Sequence, residues 1–269
     1  MTTLEVRGLV KDYRLRSGLR TAKLRAVDDV SFALDHGKTV ALVGQSGSGK
    51  STIAKLLLQL ERPTSGDILL DGNPVTRRGL TTYRRTVQMV FQDPFASLNP
   101  FHSVAHHLER PIRLHHPGMT DAEVHRRVLH LLERVRLTPA ETVAQRRPHE
   151  LSGGQRQRVA IARALAPEPG VLIADEPVSM LDVSIRLGVL NLLATLQREE
   201  DLGVLYITHD LATARHFSDE ILVMYKGAIV ERGPSDEVIL NPQHDYTKTL
   251  AEAAPNPERR LGQLRGSQG

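Results

Sequence analysis

Three short apolar segments of the chain are each followed directly by turn-forming or polar residues. They are Thr39–Val43, Val171–Ala174 and Val204–Thr208. Each is a continuous apolar run without alternation, which is typical of strands that are buried on both faces of a parallel sheet. Helix-length segments lie between them, so the chain is predicted to have an α/β core.

The first seventy residues show a second pattern, of shorter strand candidates outside that core. These candidates are Leu4–Val10, Val27–Leu34 and Asp67–Leu70, and the last is followed by the turn pair Asp71-Gly72. They predict an antiparallel β layer beside the parallel sheet.

A long helical stretch interrupts the strands. Thr120 and Glu123 have the spacing of a capping box, and apolar residues follow at helical spacing: Val124, Val128, Leu131, Leu132 and Val135. We predict a helical subdomain at about residues 93–165, inserted into a domain that spans residues 1–255. Residues 256–269 are predicted to form a polar tail without stable structure.

Composition narrows the chemistry. The chain has 269 residues, a formal charge of +4 and no cysteine, which excludes disulfides, thiolate catalysis and cysteine-ligated metal sites. Its apolar runs are shorter than the about 18–20 residues of a membrane-crossing helix, and its start lacks the apolar stretch of a secretory signal. We therefore expect any membrane role to come through partners. The 12 histidines and the scattered arginine pairs are interpreted as surface residues, not as a metal or nucleic-acid site.

One loop matches the phosphate-binding pattern GxxxxGK[ST], between an apolar strand and a helical segment. Glycines in such a loop let backbone N–H groups converge on phosphates, the lysine reaches the β- and γ-phosphates, and the final hydroxyl ligates Mg²⁺. The predicted phosphate-binding residues are Gly44, Gln45, Ser46, Gly47, Ser48, Gly49, Lys50 and Ser51.

A pair of carboxylates follows the strand Val171–Ala174. Asp175 ends the apolar run and Glu176 comes next. In proteins with such a phosphate loop the first carboxylate lies beside the magnesium ion. The second is placed to act as a general base on the attacking water.

The segment Leu151–Gln155, with sequence LSGGQ, resembles the signature of the ABC ATPases. The other motifs of that family occur in the family's order: Tyr13 before the phosphate loop, Gln92 as the Q-loop glutamine, Ser179–Asp182 as the D-loop and His209 as the switch histidine. The resemblance covers about residues 3–255. It implies an ABC ATPase fold, with ATP and Mg²⁺ bound.

The resemblance also implies residue roles. Tyr13 would stack on adenine, Thr52 would join the phosphate loop, Glu176 would be the general base and His209 would contact the γ-phosphate. The implied Mg²⁺ ligands are Ser51, Gln92 and Asp175.

Four signature residues would instead act on ATP bound to an opposing subunit: Ser152, Gly153, Gly154 and Gln155. From the residues alone, Ser152 is a natural N-cap for a helix over residues 155–166, and free amides there suit an anion.

A narrower resemblance is to the importer ATPases of the oligopeptide, dipeptide and nickel group, of the type without a cysteine cluster. It rests on the run Val90–Pro100, on a stretched linker between Tyr13 and Val27, and on the late segment Asn241–Thr247. Met180 and the histidine-rich stretch Phe101–Glu109 depart from that group's pattern.

Import of peptides or related small solutes, nickel chelates included, is therefore the leading functional hypothesis. It implies two transmembrane permease subunits, a second ABC ATPase subunit (a heterodimer favoured over a homodimer), an extracytoplasmic solute-binding protein acting indirectly, and a peripheral position at the cytoplasmic face of the bacterial inner membrane. The rival hypothesis is a soluble ABC ATPase that acts on nucleic acid or ribosomes. A simple P-loop kinase is a third, but it leaves Leu151–Gln155 and His209 unexplained.

Overall fold

Two β-sheets and eleven α-helices make up the part of the chain that the computed structural model describes, residues 2–17 and 20–253. The strands are β1 (Leu4–Ser17), β2 (Arg20–Leu34), β3 (Thr39–Val43), β4 (Ser65–Leu70), β5 (Asn73–Pro74), β6 (Val87–Val90), β7 (Val171–Asp175), β8 (Gly203–Thr208), β9 (Glu220–Tyr225) and β10 (Ala228–Pro234). The helices are α1 (Lys50–Leu57), α2 (Leu80–Thr86), α3 (Pro94–Ser97), α4 (Val104–His115), α5 (Asp121–Arg134), α6 (Ala140–Gln145), α7 (Gly153–Leu165), α8 (Val183–Glu199), α9 (Leu211–Phe217), α10 (Ser235–Leu240) and α11 (Asp245–Ala253).

The larger sheet has the strand order β10-β9-β3-β8-β7-β6, and all neighbouring pairs are parallel except β9 with β10. Every residue of β3 and of β8 is buried. Alternate residues of one strand enter two different hydrophobic clusters: Val171 and Ile173 pack on one side, Leu172 and Ala174 on the other. This two-sided burial explains the continuous apolar runs, and the predicted α/β class is confirmed.

The smaller sheet has the order β2-β1-β4-β5, with antiparallel pairs throughout. It extends further than the sequence indicated. The predicted linker between Tyr13 and Val27 was wrong, because β1 and β2 pair along most of it, from Asp12 opposite Arg25 to Ser17 opposite Arg20. Asp12 forms ion pairs with Lys23 at 2.8 Å and with Arg25 at 3.1 Å across these strands. Such cross-strand ion pairs stabilise the pairing of two strands even where the sequence has no apolar run that would predict a strand.

Helices alone occupy the described chain between Val90 and Val171. The capping box at Thr120 is present as predicted, and the apolar residues of α5 that follow it are buried. A second capping box at Ser152 starts α7 at Gly153, two residues before the predicted start. The exact domain boundaries stay predictions, and the tail predicted at residues 256–269 lies outside the described residues.

Among residues 2–17 and 20–253, no helix combines the length and the apolar character needed to span a bilayer.

Two glycines of the smaller sheet allow a matched test of its packing. Gly66 has a φ of +87°, and a Cβ built there would lie 2.2 Å from the carbonyl oxygen of Gly8. Gly72 has a φ of +74°, but a Cβ there meets nothing within 4 Å. We expect Gly66→Ala to lower the free energy of unfolding by about 2–4 kcal/mol, because backbone must shift as well. Gly72→Ala should cost about 1 kcal/mol, for the left-handed backbone alone. Urea denaturation of both variants measures this, and equal losses would contradict it.

Candidate functional site

A cavity of about 1130 Å³ opens where β3, β7 and β8 end. The carboxyl ends of parallel strands meet at one edge of the sheet, so the loops after these strands converge there. Eleven of the residues predicted from the sequence line this cavity: Tyr13, Gln45, Ser46, Gly47, Gly49, Lys50, Ser51, Thr52, Gln92, Glu176 and His209. The fold thus brings together residues that are far apart in the chain.

The loop after β3 is shaped by its glycines. Gly49 has a φ of +113°, and a Cβ on it would lie 2.4 Å from the carbonyl oxygen of Ala26. A Cβ on Gly44 would lie 2.3 Å from the carbonyl oxygen of Met224. Glycine is required at both positions because neighbouring backbone approaches so closely. The loop then enters α1, whose N-terminus adds a positive dipole end.

Lys50 carries the main positive charge of the loop. Its side chain is buried, and its ammonium donates to the carbonyl oxygens of Gly44 at 2.5 Å and Gln45 at 3.0 Å. Burial lowers the pKa of Lys50, and the charges of Glu176 and Asp175 oppose that shift. Within the described chain no carboxylate lies within 4.0 Å of this ammonium. A buried cation with only carbonyl partners suits an incoming anion such as phosphate.

Glu176 lies between two other predicted residues. Its carboxylate accepts a hydrogen bond from Nε2 of Gln92 at 3.1 Å, and its other oxygen lies 3.1 Å from Nδ1 of His209. The backbone of Glu176 has a φ of +43°, which is unfavourable for a side chain with a Cβ. The Glu176 N–H donates to the carbonyl oxygen of Ile207 at 2.8 Å, which holds this conformation. A carboxylate placed in this way can accept a proton from a water molecule in the cavity.

The three predicted magnesium ligands also lie together. Ser51 and Gln92 line both this cavity and a neighbouring one, and Asp175 lines the neighbouring one. Burial first, and then the charge of Glu176, raises the pKa of Asp175 to about 6. A hydroxyl, an amide oxygen and a carboxylate are hard oxygen donors, so this set fits Mg²⁺.

Tyr13 is held by contacts that the sequence did not predict. Its hydroxyl donates to Glu61 at 2.5 Å, and the ammonium of Lys11 lies 5.0 Å from the ring centre. Lys11 also pairs with Glu61 at 3.1 Å. Nothing in the local pattern marks Glu61, because its 48-residue separation from Tyr13 is bridged only by folding.

The signature residues Ser152–Gln155 do not line this cavity. Ser152 Oγ accepts from the N–H of Gln155 at 3.3 Å, and Gln155 Oε1 accepts from the N–H of Ser152 at 3.0 Å. Gly154 packs against Ile185, and a Cβ there would lie 2.7 Å from Ile185 Cγ2. The structure therefore separates these residues from the chain's own phosphate loop.

Several cavity-lining residues were missed. Arg186 of α8, Lys226 of the turn between β9 and β10, and Leu250 of α11 all face the site. The two cations add positive charge to an anion site. No local motif distinguishes them from surface residues, so their position emerges only from the fold.

Comparison with known proteins gives one family. The family model for "ABC transporter" matches residues 27–179. The glutathione import ATP-binding protein GsiA of Salmonella typhimurium is 49% identical over 258 residues, which cover 94% of this chain and 41% of that relative. The chain thus spans less than half the length of that protein. The dipeptide transport ATP-binding protein DppF of Haemophilus influenzae is 45% identical, over 92% of this chain and 76% of the relative.

A solved structure agrees with the sequence matches. The dimeric ATP-binding cassette MJ0796, in a post-hydrolysis state bound to ADP and Pi, superposes with a TM-score of 0.75 at 32% identity, over 86% of this chain and 98% of that one. The predicted fold class and the predicted resemblance to importer ATPases are both confirmed. On its sequence, its fold and the loops that form its cavity, the chain belongs to the ABC transporter family.

Proposed function

We propose that this chain binds and hydrolyses Mg²⁺-ATP as the ATP-binding subunit of an ABC importer for peptides or related small solutes, nickel chelates included. The observation that carries the proposal is the position of Glu176, held between Gln92 and His209 in the cavity that Lys50 also lines. A phosphate-binding loop and a general base facing the same space are what phosphoanhydride hydrolysis requires.

Nucleotide binding would use several of the residues that line the cavity. Tyr13 offers its ring to adenine, since its hydroxyl is already held by Glu61. The loop from Gly44 to Ser51, continued by Thr52, offers N–H groups, hydroxyls and the Lys50 ammonium to the phosphates. Ser51, Gln92 and Asp175 would hold Mg²⁺, which neutralises charge on the phosphate oxygens when it is bound.

In the hydrolytic step a water oxygen forms a bond to the γ-phosphorus while the bond from that phosphorus to the ADP oxygen breaks. Glu176 would accept the proton that the water loses, on a carboxylate oxygen. His209 and Gln92 hold that carboxylate at 3.1 Å each, which fixes it toward the water. His209 would also contact the γ-phosphate.

A second ATPase subunit would complete the site. Ser152–Gln155 lie outside the chain's own cavity, which supports a head-to-tail pair in which they meet the partner's γ-phosphate. A heterodimer is favoured by the resemblance to importer ATPases of the type without a cysteine cluster. Isolation of the native complex with a single ATPase species would contradict this.

The type of cargo is supported by the relatives. One is named for glutathione import and another for dipeptide transport. The chain would then work at the cytoplasmic face of the membrane on two permease subunits, with an extracytoplasmic solute-binding protein acting indirectly. Action on nucleic acid is disfavoured, because the arginine pairs are scattered along the sequence without interleaved aromatic residues.

Glu176→Gln should lower ATP turnover by about 100-fold or more while leaving ATP binding in place, since the amide cannot accept the proton. ATPase turnover and ATP retention of the purified chain with its genomic-neighbour permeases in lipid measure both effects. Glu199→Gln is the matched control, because Glu199 is an exposed carboxylate on α8 and should keep full turnover. The transport proposal would be overturned if the ATP turnover of the wild type did not change with permeases but rose with nucleic acid.

Lys50→Ala and Ser152→Ala should have different effects, since Lys50 would bind the chain's own ATP and Ser152 would contact ATP bound to a partner subunit. Lys50→Ala should weaken ATP binding to the chain itself, because the buried cation is lost. Ser152→Ala should leave that binding unchanged and lower turnover in the assembled complex. Ser103→Ala controls for the lost helix cap, since Ser103 caps α4 by the same kind of bond. Weakened binding of ATP to isolated Ser152→Ala would argue against a role in trans.

Asp175 should destabilise the fold in the absence of nucleotide and metal. Its folded-state pKa of about 6 lies above its ordinary value of 3.8, so the cost is present above about pH 6 and disappears below about pH 4. Asp175→Asn should therefore raise the free energy of unfolding at pH 8 by about 2–3 kcal/mol, and by little at pH 4. Urea denaturation in EDTA measures this, and a gain that is independent of pH would contradict it.

A further inference from the structure

The last described helix, α11, reaches the phosphate loop directly. The N–H of Gln45, the second residue of the loop, donates a hydrogen bond to the hydroxyl of Tyr246 at 2.9 Å. These residues are 201 positions apart in the chain. The contact belongs to the segment Asn241–Thr247, which marks the narrower family resemblance and which the proposed mechanism does not use.

The ring of Tyr246 is itself held in place. It stacks on the ring of Tyr225, the last residue of β9, with centroids 4.2 Å apart and planes 29° apart. Two residues later, the N–H of Gly227 donates to the carbonyl oxygen of Ser48 at 2.9 Å. The loop is therefore held near its start and near its end from the same corner of the molecule.

The start of α11 is anchored as well. Glu231 of β10 accepts hydrogen bonds from the N–H of Gln243 at 2.7 Å and from the N–H of His244 at 3.0 Å. The N–H of Tyr246 donates to Nδ1 of His244 at 3.1 Å. Further along the same helix, Leu250 is buried and lines the nucleotide cavity. The backbone that carries Tyr246 is thus held in place by hydrogen bonds at the start of α11.

Tyr246 holds the N–H side of Gln45, whereas the Gln45 carbonyl accepts from the Lys50 ammonium at 3.0 Å and from the Ser48 N–H at 3.2 Å. Gln45, Ser46 and Gly47 are exposed, and Gly47 has a φ of +81° with open space around it. A loop that binds phosphate through its N–H groups binds more tightly when those groups are held in place beforehand, because conformational entropy that the loop loses on binding reduces affinity.

We propose that Tyr246 is a positioning residue for the phosphate loop: its hydroxyl fixes the Gln45 peptide so that the following N–H groups converge on the nucleotide phosphates. This role rests on the proposed function. It would give the segment Asn241–Thr247 a direct part in nucleotide binding.

Tyr246→Phe tests the role, because it removes the hydroxyl and keeps the stacked ring. We expect about 2- to 10-fold faster amide hydrogen exchange at Gln45 and an ATP Kd raised by a similar factor, as the loss of one hydrogen bond predicts. The kcat at saturating ATP should change little, so that KM carries the effect.

Tyr225→Phe is the matched control. It removes a hydroxyl from the other ring of the same stack, and that hydroxyl has no hydrogen-bond partner among residues 2–17 and 20–253. It should match the wild type in Gln45 exchange and in ATP affinity. An ATP Kd of Tyr246→Phe equal to that of Tyr225→Phe would overturn the role of Tyr246, whereas a wild-type chain that binds no ATP would overturn the proposed function itself and this role with it.

Discussion

The buried ammonium of Lys50 is the constraint on which the rest of the site depends. It lies at the start of α1, away from water, and its partners are the carbonyl oxygens of Gly44 and Gln45. Glycine at positions 44 and 49 lets the loop pass close to the carbonyl oxygens of Met224 and Ala26 in neighbouring strands. A buried positive charge with neutral partners is costly unless an anion arrives, so the loop is built for a ligand more than for stability.

Asp175 is a second buried charged group that suits a ligand more than it suits stability, and its charge is negative. Burial raises its pKa to about 6, so at neutral pH the chain carries an ionised carboxylate where a neutral group would be more stable. The parallel sheet sets both positions, because β3 ends at the phosphate loop and β7 ends at Asp175 on the same edge. The two strands are separated only by β8, which delivers His209 between them. One edge of one sheet therefore places the cation, the carboxylates and the histidine.

Most of this arrangement was predictable because its signals are local. Continuous apolar runs predict β3, β7 and β8, and the spacing of glycines before Lys50 predicts the loop. The hairpin of β1 and β2 escaped prediction because ion pairs around Asp12, and not an apolar run, accompany its ladder. The residues that hold the site in place were not predicted, for another reason. Glu61 under Tyr13 and Tyr246 beside Gln45 act across 48 and 201 residues, a distance that no pattern along one sequence reveals.

The signature segment has a geometry that suits the action proposed for it, on the nucleotide of a partner subunit. Ser152 is exposed and uses its oxygen as an acceptor, for the N–H of Gln155. Its hydroxyl hydrogen is therefore left to donate, and the N-terminus of α7 presents its dipole in the same place. Because the capping box forms within this chain alone, the segment needs no refolding to meet a second subunit. Since the segment is already ordered in the folded chain, binding a second subunit would not cost the entropy of ordering it. Its contact with a γ-phosphate would add to the affinity between subunits, and would do so only when nucleotide is present.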